Sequence, residues 1–169
     1  MNADQKDLLW RSLLDADQNA RYWRAMTLRY VRRERMAKIF LAVVSSATVA
    51  GWGFWRDVNW LWQGLSIIAA IIASAMPIID VSRQIESMLE LHERWLQLLN
   101  EYEDVWTARG NITDLDVQEK LKILKALEVE LSKKAAKLPN DDVVLGTKSY
   151  NDVLRERKLT PPQSSGVLV

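Results

Sequence analysis

A chain of 169 residues with net charge +1, 49% hydrophobic residues, no cysteine and one histidine fits one domain, alone or with appendages. A mean hydropathy of −0.15 excludes a polytopic transporter, and the near-neutral charge argues against a dedicated nucleic-acid binder. The lack of cysteine excludes disulfide scaffolds, cysteine-liganded zinc and cysteine nucleophiles.

Residues 4–38 predict a long helix. Leu9, Leu13, Ala16, Ala20, Trp23, Thr27 and Tyr30 recur at alternating spacings of four and three, a heptad stripe. No Pro or Gly interrupts it, so it can continue into the apolar segment that follows. Its second half carries Arg21, Arg24, Arg29, Arg32, Arg33, Arg35 and Lys38, with Glu34 the only acid among them. Two readings of this basic run stand. It sets membrane topology and attracts anionic lipid, or it receives an anionic partner or nucleotide.

Residues 39–55 and 60–79 are free of charge. As helices they span roughly 25 and 30 Å, against a hydrocarbon core of about 30 Å. The eight Leu and Ile residues of the second segment contribute on the order of −2 to −5 kcal/mol to insertion. The first is diluted by Ser45, Ser46, Thr48, Gly51 and Gly53, and is expected to insert with its partner. Between them, residues 56–59 leave room only for a tight turn. Trp52 and Trp55 precede that turn and Trp60 and Trp62 follow it, an aromatic belt of the kind a headgroup interface selects. With the basic run at the other end, the positive-inside rule puts both termini in the cytoplasm. The apolar segment starts too late for a cleaved signal peptide.

Each span carries small-residue rows: Ala42, Ser46 and Ala50 on the first, Ser66, Ala70 and Ser74 on the second. Such rows let helices approach closely. One row per helix is explained by packing within the hairpin; further rows and Ser45, Ser46, Thr48, Ser66 and Ser74 would suit an oligomeric pore. Pro77 would serve as a hinge. A buried hairpin in a soluble helical protein is the alternative.

Beyond the membrane, residues 81–109 predict a second long helix. Ile85, Met88, His92, Trp95, Leu99, Tyr102 and Trp106 make its heptad interface, widened by Leu91, Leu98 and Val105. Gly110 stops it, and Thr113 to Asp116 resembles an N-cap for a third helix with Val117, Leu121, Leu124, Leu127 and Leu131 on one face. A short helix is expected over 150–158, then a flexible tail. The expected fold is an all-α membrane protein. A cytosolic basic helix spans 1–38, a two-helix transmembrane hairpin 39–80, and an antiparallel cytosolic helical hairpin 81–138. The short helix and tail fill 139–169. The long amphipathic helices form a helical bundle, and their heptads are its natural oligomerisation element.

No catalytic constellation emerges, and no catalytic residue, cofactor or metal site is assigned. His92 reads as a packed or interface histidine, with a pH-sensitive coupling site or a catalytic role beside nearby carboxylates as alternatives. No serine sits in a nucleophile-elbow setting, and no Gly-rich phosphate loop occurs. Glu90, Glu93, Glu101, Glu103 and Asp104 read as a solvated face.

The arginine-rich stretch 21–38, the Trp-flanked hairpin 39–79 and the helix 85–106 together resemble the SLATT family of bacterial two-transmembrane effectors. Retron-associated two-span effectors are similar in layout. The resemblance covers about residues 5–137 and is one of architecture. It implies an anti-phage effector in the bacterial inner membrane that a partner or nucleotide-linked sensor triggers to permeabilise the bilayer, killing or arresting the cell. The partners it implies are the lipid bilayer, further copies of the chain and a separate sensor or inhibitor protein; direct contact with nucleic acid is not expected. A membrane-anchored scaffold, whose bundle binds a soluble partner, is the other reading.

Overall fold

The computed structural model describes residues 1–50, 59–140 and 142–159, with side chains described except at 45–50, 59–63 and 75–79. All secondary structure among them is helical: α1 Ala3–Ala50, α2 Asn59–Ile79, α3 Val81–Ala108, α4 Asp114–Ala135 and α5 Val143–Glu156. α1 is unbroken, as the absence of Pro and Gly allows. The chain forms two compact units. One comprises Met1–Met26 with Met88–Val169, the other Thr27–Ser87.

The first unit is a four-helix bundle of the N-terminal part of α1, most of α3, α4 and α5. On α1, Leu9, Leu13, Ala16, Ala20 and Trp23 are buried; on α3, Met88, Leu91, Trp95, Leu98, Leu99, Tyr102 and Val105 are. The heptad stripes therefore close on one another within a single chain. Not all of the expected interface is covered in this way: Tyr30, Ile85, His92 and Trp106 remain partly exposed.

α4 begins where its cap predicts. Thr113 Oγ1 accepts from the Asp116 backbone N–H at 3.3 Å, and Asp114 and Asp116 complement the helix dipole. Val117, Leu121, Leu124 and Leu131 are buried, but Leu127 is 44% exposed. The inward position one residue on belongs to Glu128, whose carboxylate accepts from the Tyr102 hydroxyl of α3 at 2.9 Å. A buried phenol needs such an acceptor, and this displaces leucine from the face.

α5 starts seven residues before the predicted 150–158 segment. Asp142 caps it by accepting from the Leu145 N–H at 2.9 Å. It docks through Leu145, Ser149, Val153 and Leu154. Gly146 and the β-branched Val143 and Val144 hide this start from a propensity reading.

The second unit holds the end of α1, α2 and the start of α3. α2 runs through Pro77 to Ile79, and the break before α3 falls at Asp80, with φ 44°. Asp tolerates this left-handed conformation better than most residues. Its carboxylate lies 3.4 Å from the Arg83 N–H, at the start of α3. Among the described residues no helix is long and apolar enough to cross a membrane. Of the two charge-free segments, the side chains described are those of residues 39–44 and 64–74.

Candidate functional site

The best-organised polar cluster in the bundle was not anticipated from the sequence. Asp17 of α1 is 2% exposed. Its Oδ1 accepts from Arg21 Nε at 2.6 Å, one helical turn on. Its Oδ2 accepts from Arg157 Nε and Nη2 at 3.1 and 3.0 Å. Arg157 Nη2 also donates to Glu103 of α3 at 2.5 Å, and Arg21 Nη1 pairs with Glu156 at 2.7 Å. Five charges thus tie the C-terminal end of α5 to α1 and α3. The Leu159 N–H, bonded to the Leu154 carbonyl at 2.8 Å, and Lys158 at φ 55° turn the chain at this anchor. Burial works against the Arg157 charge, but Glu103 and Asp17 outweigh it and raise the guanidinium above its ordinary value. Arg21 holds the Glu156 carboxyl below its ordinary 4.5. That contribution is full above 4.5 and is lost as pH falls through the lower folded value.

A second cluster joins α1, α3 and α4. Glu128 accepts from Tyr102 and from Lys125 Nζ at 3.1 and 3.0 Å. Burial pushes the Tyr102 phenol up, and the Glu128 charge adds to this. Burial also raises the Asp15 carboxyl above its ordinary 3.8, Glu128 adds, and Lys125 opposes. A raised carboxyl disfavours its own ionised form in the fold, so Asp15→Asn should melt at a higher temperature than the parent at neutral pH. The gain should vanish below 3.8, where folded and unfolded chains both hold the proton. Paired melting curves at the two pH values check this; a lower melting temperature for the variant at neutral pH would contradict it.

His92 is half-buried, and its Nδ1 lies 2.9 Å from the Ala20 carbonyl oxygen of α1. A carbonyl only accepts, so Nδ1 carries the proton in this contact. The ring is thereby a cross-link between α3 and α1. Trp95 is 2% exposed, and its indole N–H has no acceptor among the described residues. Trp106, the last residue of the predicted interface, lies 5.1 Å from the Trp10 ring with the Arg109 guanidinium 4.5 Å from its own centroid. Ile85 belongs to the second unit and is partly exposed.

The basic run divides by partner. Arg21 pairs with Asp17 and Glu156. Lys38 pairs with Glu34 at 2.7 Å, and Glu34 also accepts from Ser82 at 3.0 Å. The Arg33 guanidinium sits 5.8 Å from the Tyr30 ring centroid. Arg29 is partly exposed, and Arg24, Arg32 and Arg35 are exposed.

Of the predicted membrane faces, Ser66, Ala70 and Ser74 are all exposed, and Ser74 Oγ donates to the Ala70 carbonyl at 2.8 Å. Ser45, Ser46, Thr48 and Ala50 fall on α1, and Trp60, Trp62 and Pro77 on α2, but their side chains lie outside the described residues. Trp52 and Trp55 lie outside them altogether. Among the described residues no group of three or more His, Asp or Glu side chains could hold a metal ion. Chemically, both polar clusters bind helices together. Comparisons with protein-family models, curated proteins and solved structures gave no match.

Proposed function

We propose that this chain is a two-span effector of a bacterial anti-phage defence system, seated in the inner membrane with both termini in the cytoplasm. When a separate sensor or inhibitor protein signals, copies of the hairpin associate and permeabilise the bilayer, and the cell dies or stops growing. The reading is carried by one observation. Residues 64–74 of α2 form eleven consecutive uncharged positions, and none of them is buried against the rest of the chain. Ile67, Ile68 and Ile71 are 62%, 50% and 62% exposed. A helix apolar on every side needs an apolar surrounding, which a bilayer or packed copies of itself would supply. The resemblance to SLATT effectors supplies the defence role.

Controlled induction, with a membrane-impermeant dye and a potential-sensitive probe as readouts, tests this. The parent should depolarise cells and admit dye. Ser46→Leu and Ala70→Leu keep the segments apolar while filling their small-residue rows, and should abolish both signals at equal membrane levels. An intact membrane at toxic parent expression would sink the effector reading.

One observation favours a second reading, a membrane-anchored scaffold. Leu9, Leu13, Trp23, Met88, Trp95 and Tyr102 pack inside the bundle, a preformed module of the kind a membrane tether would display. An unrelated two-span anchor in place of the hairpin should then preserve activity, whereas the effector should lose it.

A further inference from the structure

Within the second unit, the exposed arginines share a face with exposed aliphatic residues. Arg32 and Arg35 are exposed and have no ion-pair partner among the described residues. Leu28 lies four positions before Arg32, Ile39 four after Arg35, and Val43 four further on, so all five fall on one side of α1. Leu28, Ile39 and Val43 are 61%, 50% and 60% exposed. The stripe therefore passes from two cations to two aliphatic side chains within about 17 Å of helix rise, and it carries no acid. Beside it lies a hollow of about 400 Å³ lined by Val31, Glu34, Arg35, Lys38, Ile39 and Ala42. Lys38 neutralises Glu34 there, which leaves Arg35 as the hollow's uncompensated charge.

We propose that Arg32 and Arg35 bind the phosphate of an anionic phospholipid, with Ile39 and Val43 against its acyl chains. The proposal rests on the membrane reading above and names the lipid class that the basic run selects. Guanidinium groups match phosphate oxygens in pairs. A soluble nucleotide or phosphate would use the two arginines but would have no use for the aliphatic residues beyond them, so the combined stripe favours a lipid. It also separates Arg32 and Arg35 from Arg21, Arg33 and Lys38, whose charges have partners inside the chain.

The test uses the full chain in detergent and native mass spectrometry, with phosphatidylglycerol or phosphatidylcholine added. The parent should retain phosphatidylglycerol in preference to phosphatidylcholine. Arg32→Gln/Arg35→Gln should weaken that retention on the order of tenfold or more, at about 1 kcal/mol per arginine. Arg11→Gln/Arg33→Gln has the same net charge and should keep the preference. Equal loss in both double variants, or equal retention of the two lipids by the parent, overturns the proposal. So does binding of inorganic phosphate, without lipid, that depends on Arg32 and Arg35 in the same way. Alkaline carbonate washing of membranes reads the underlying assumption separately. A parent chain stripped by the wash defeats the membrane reading and the proposal together; a chain that stays but shows no lipid preference defeats the proposal alone.

Discussion

Asp17→Ala should destabilise the bundle by about 3 kcal/mol, the low end of what breaking a buried ion pair costs. The carboxylate is 2% exposed and joins two guanidinium groups from opposite ends of the sequence. Without it, among the described residues Arg21 keeps only Glu156 and Arg157 keeps only Glu103 as acidic partners. Both guanidinium groups remain partly solvated, which limits the loss. Thermal melting of the full chain in detergent, followed by helical circular dichroism, would read the change. Asp17→Ala/Arg157→Met should cost less than the two single changes added together, because it removes one of the stranded charges along with its partner. Amide exchange should speed up first over Leu145–Leu154, since Arg157 anchors the end of α5. A melting curve for Asp17→Ala within about 0.5 kcal/mol of the parent would remove this cluster from the account of the fold.

Local rules made most of the bundle legible. Thr113 with Asp116 marks a helix start that depends only on neighbours in the chain, and the structure has that cap. The 3.6-residue periodicity of α1 and α3 reports which face is covered, and Trp23, Trp95, Leu98 and Tyr102 are indeed covered. It cannot report what covers them, so a stripe consumed inside the chain looks the same as one awaiting another copy. Leu127 shows a second limit. Periodicity ranks side chains by apolarity, but the position beside it is claimed by Glu128 because Tyr102 requires an acceptor from another helix. The Asp17 cluster is half local. Arg21 follows Asp17 by one turn and pairs with it as the spacing allows, whereas Arg157 arrives from 140 positions away. No signal along the sequence connects those two residues; the docking of α5 does.

Trp23→Ala should cost about 3–5 kcal/mol, the range for truncating a buried aromatic residue. Trp23 is 1% exposed and belongs to the covered stripe of α1. A bundle with a total stability of about 5–15 kcal/mol would be left marginal. Trp23→Phe retains part of the ring volume and should cost less, so the pair of variants grades the loosening. Its consequence in cells separates the two functional readings. Four residues beyond Trp23 the second compact unit begins on the same unbroken helix. If the bundle restrains the hairpin, loosening it should lower the expression level at which dye enters the cell. Trp23→Phe should fall between the parent and Trp23→Ala, and adding Ala70→Leu should cancel the effect. If the hairpin is only a tether, Trp23→Ala should lose its binding activity and leave the membrane sealed. Compared at matched membrane levels, these outcomes have opposite signs. Early dye entry supports a restrained effector; a silent, destabilised variant supports a scaffold.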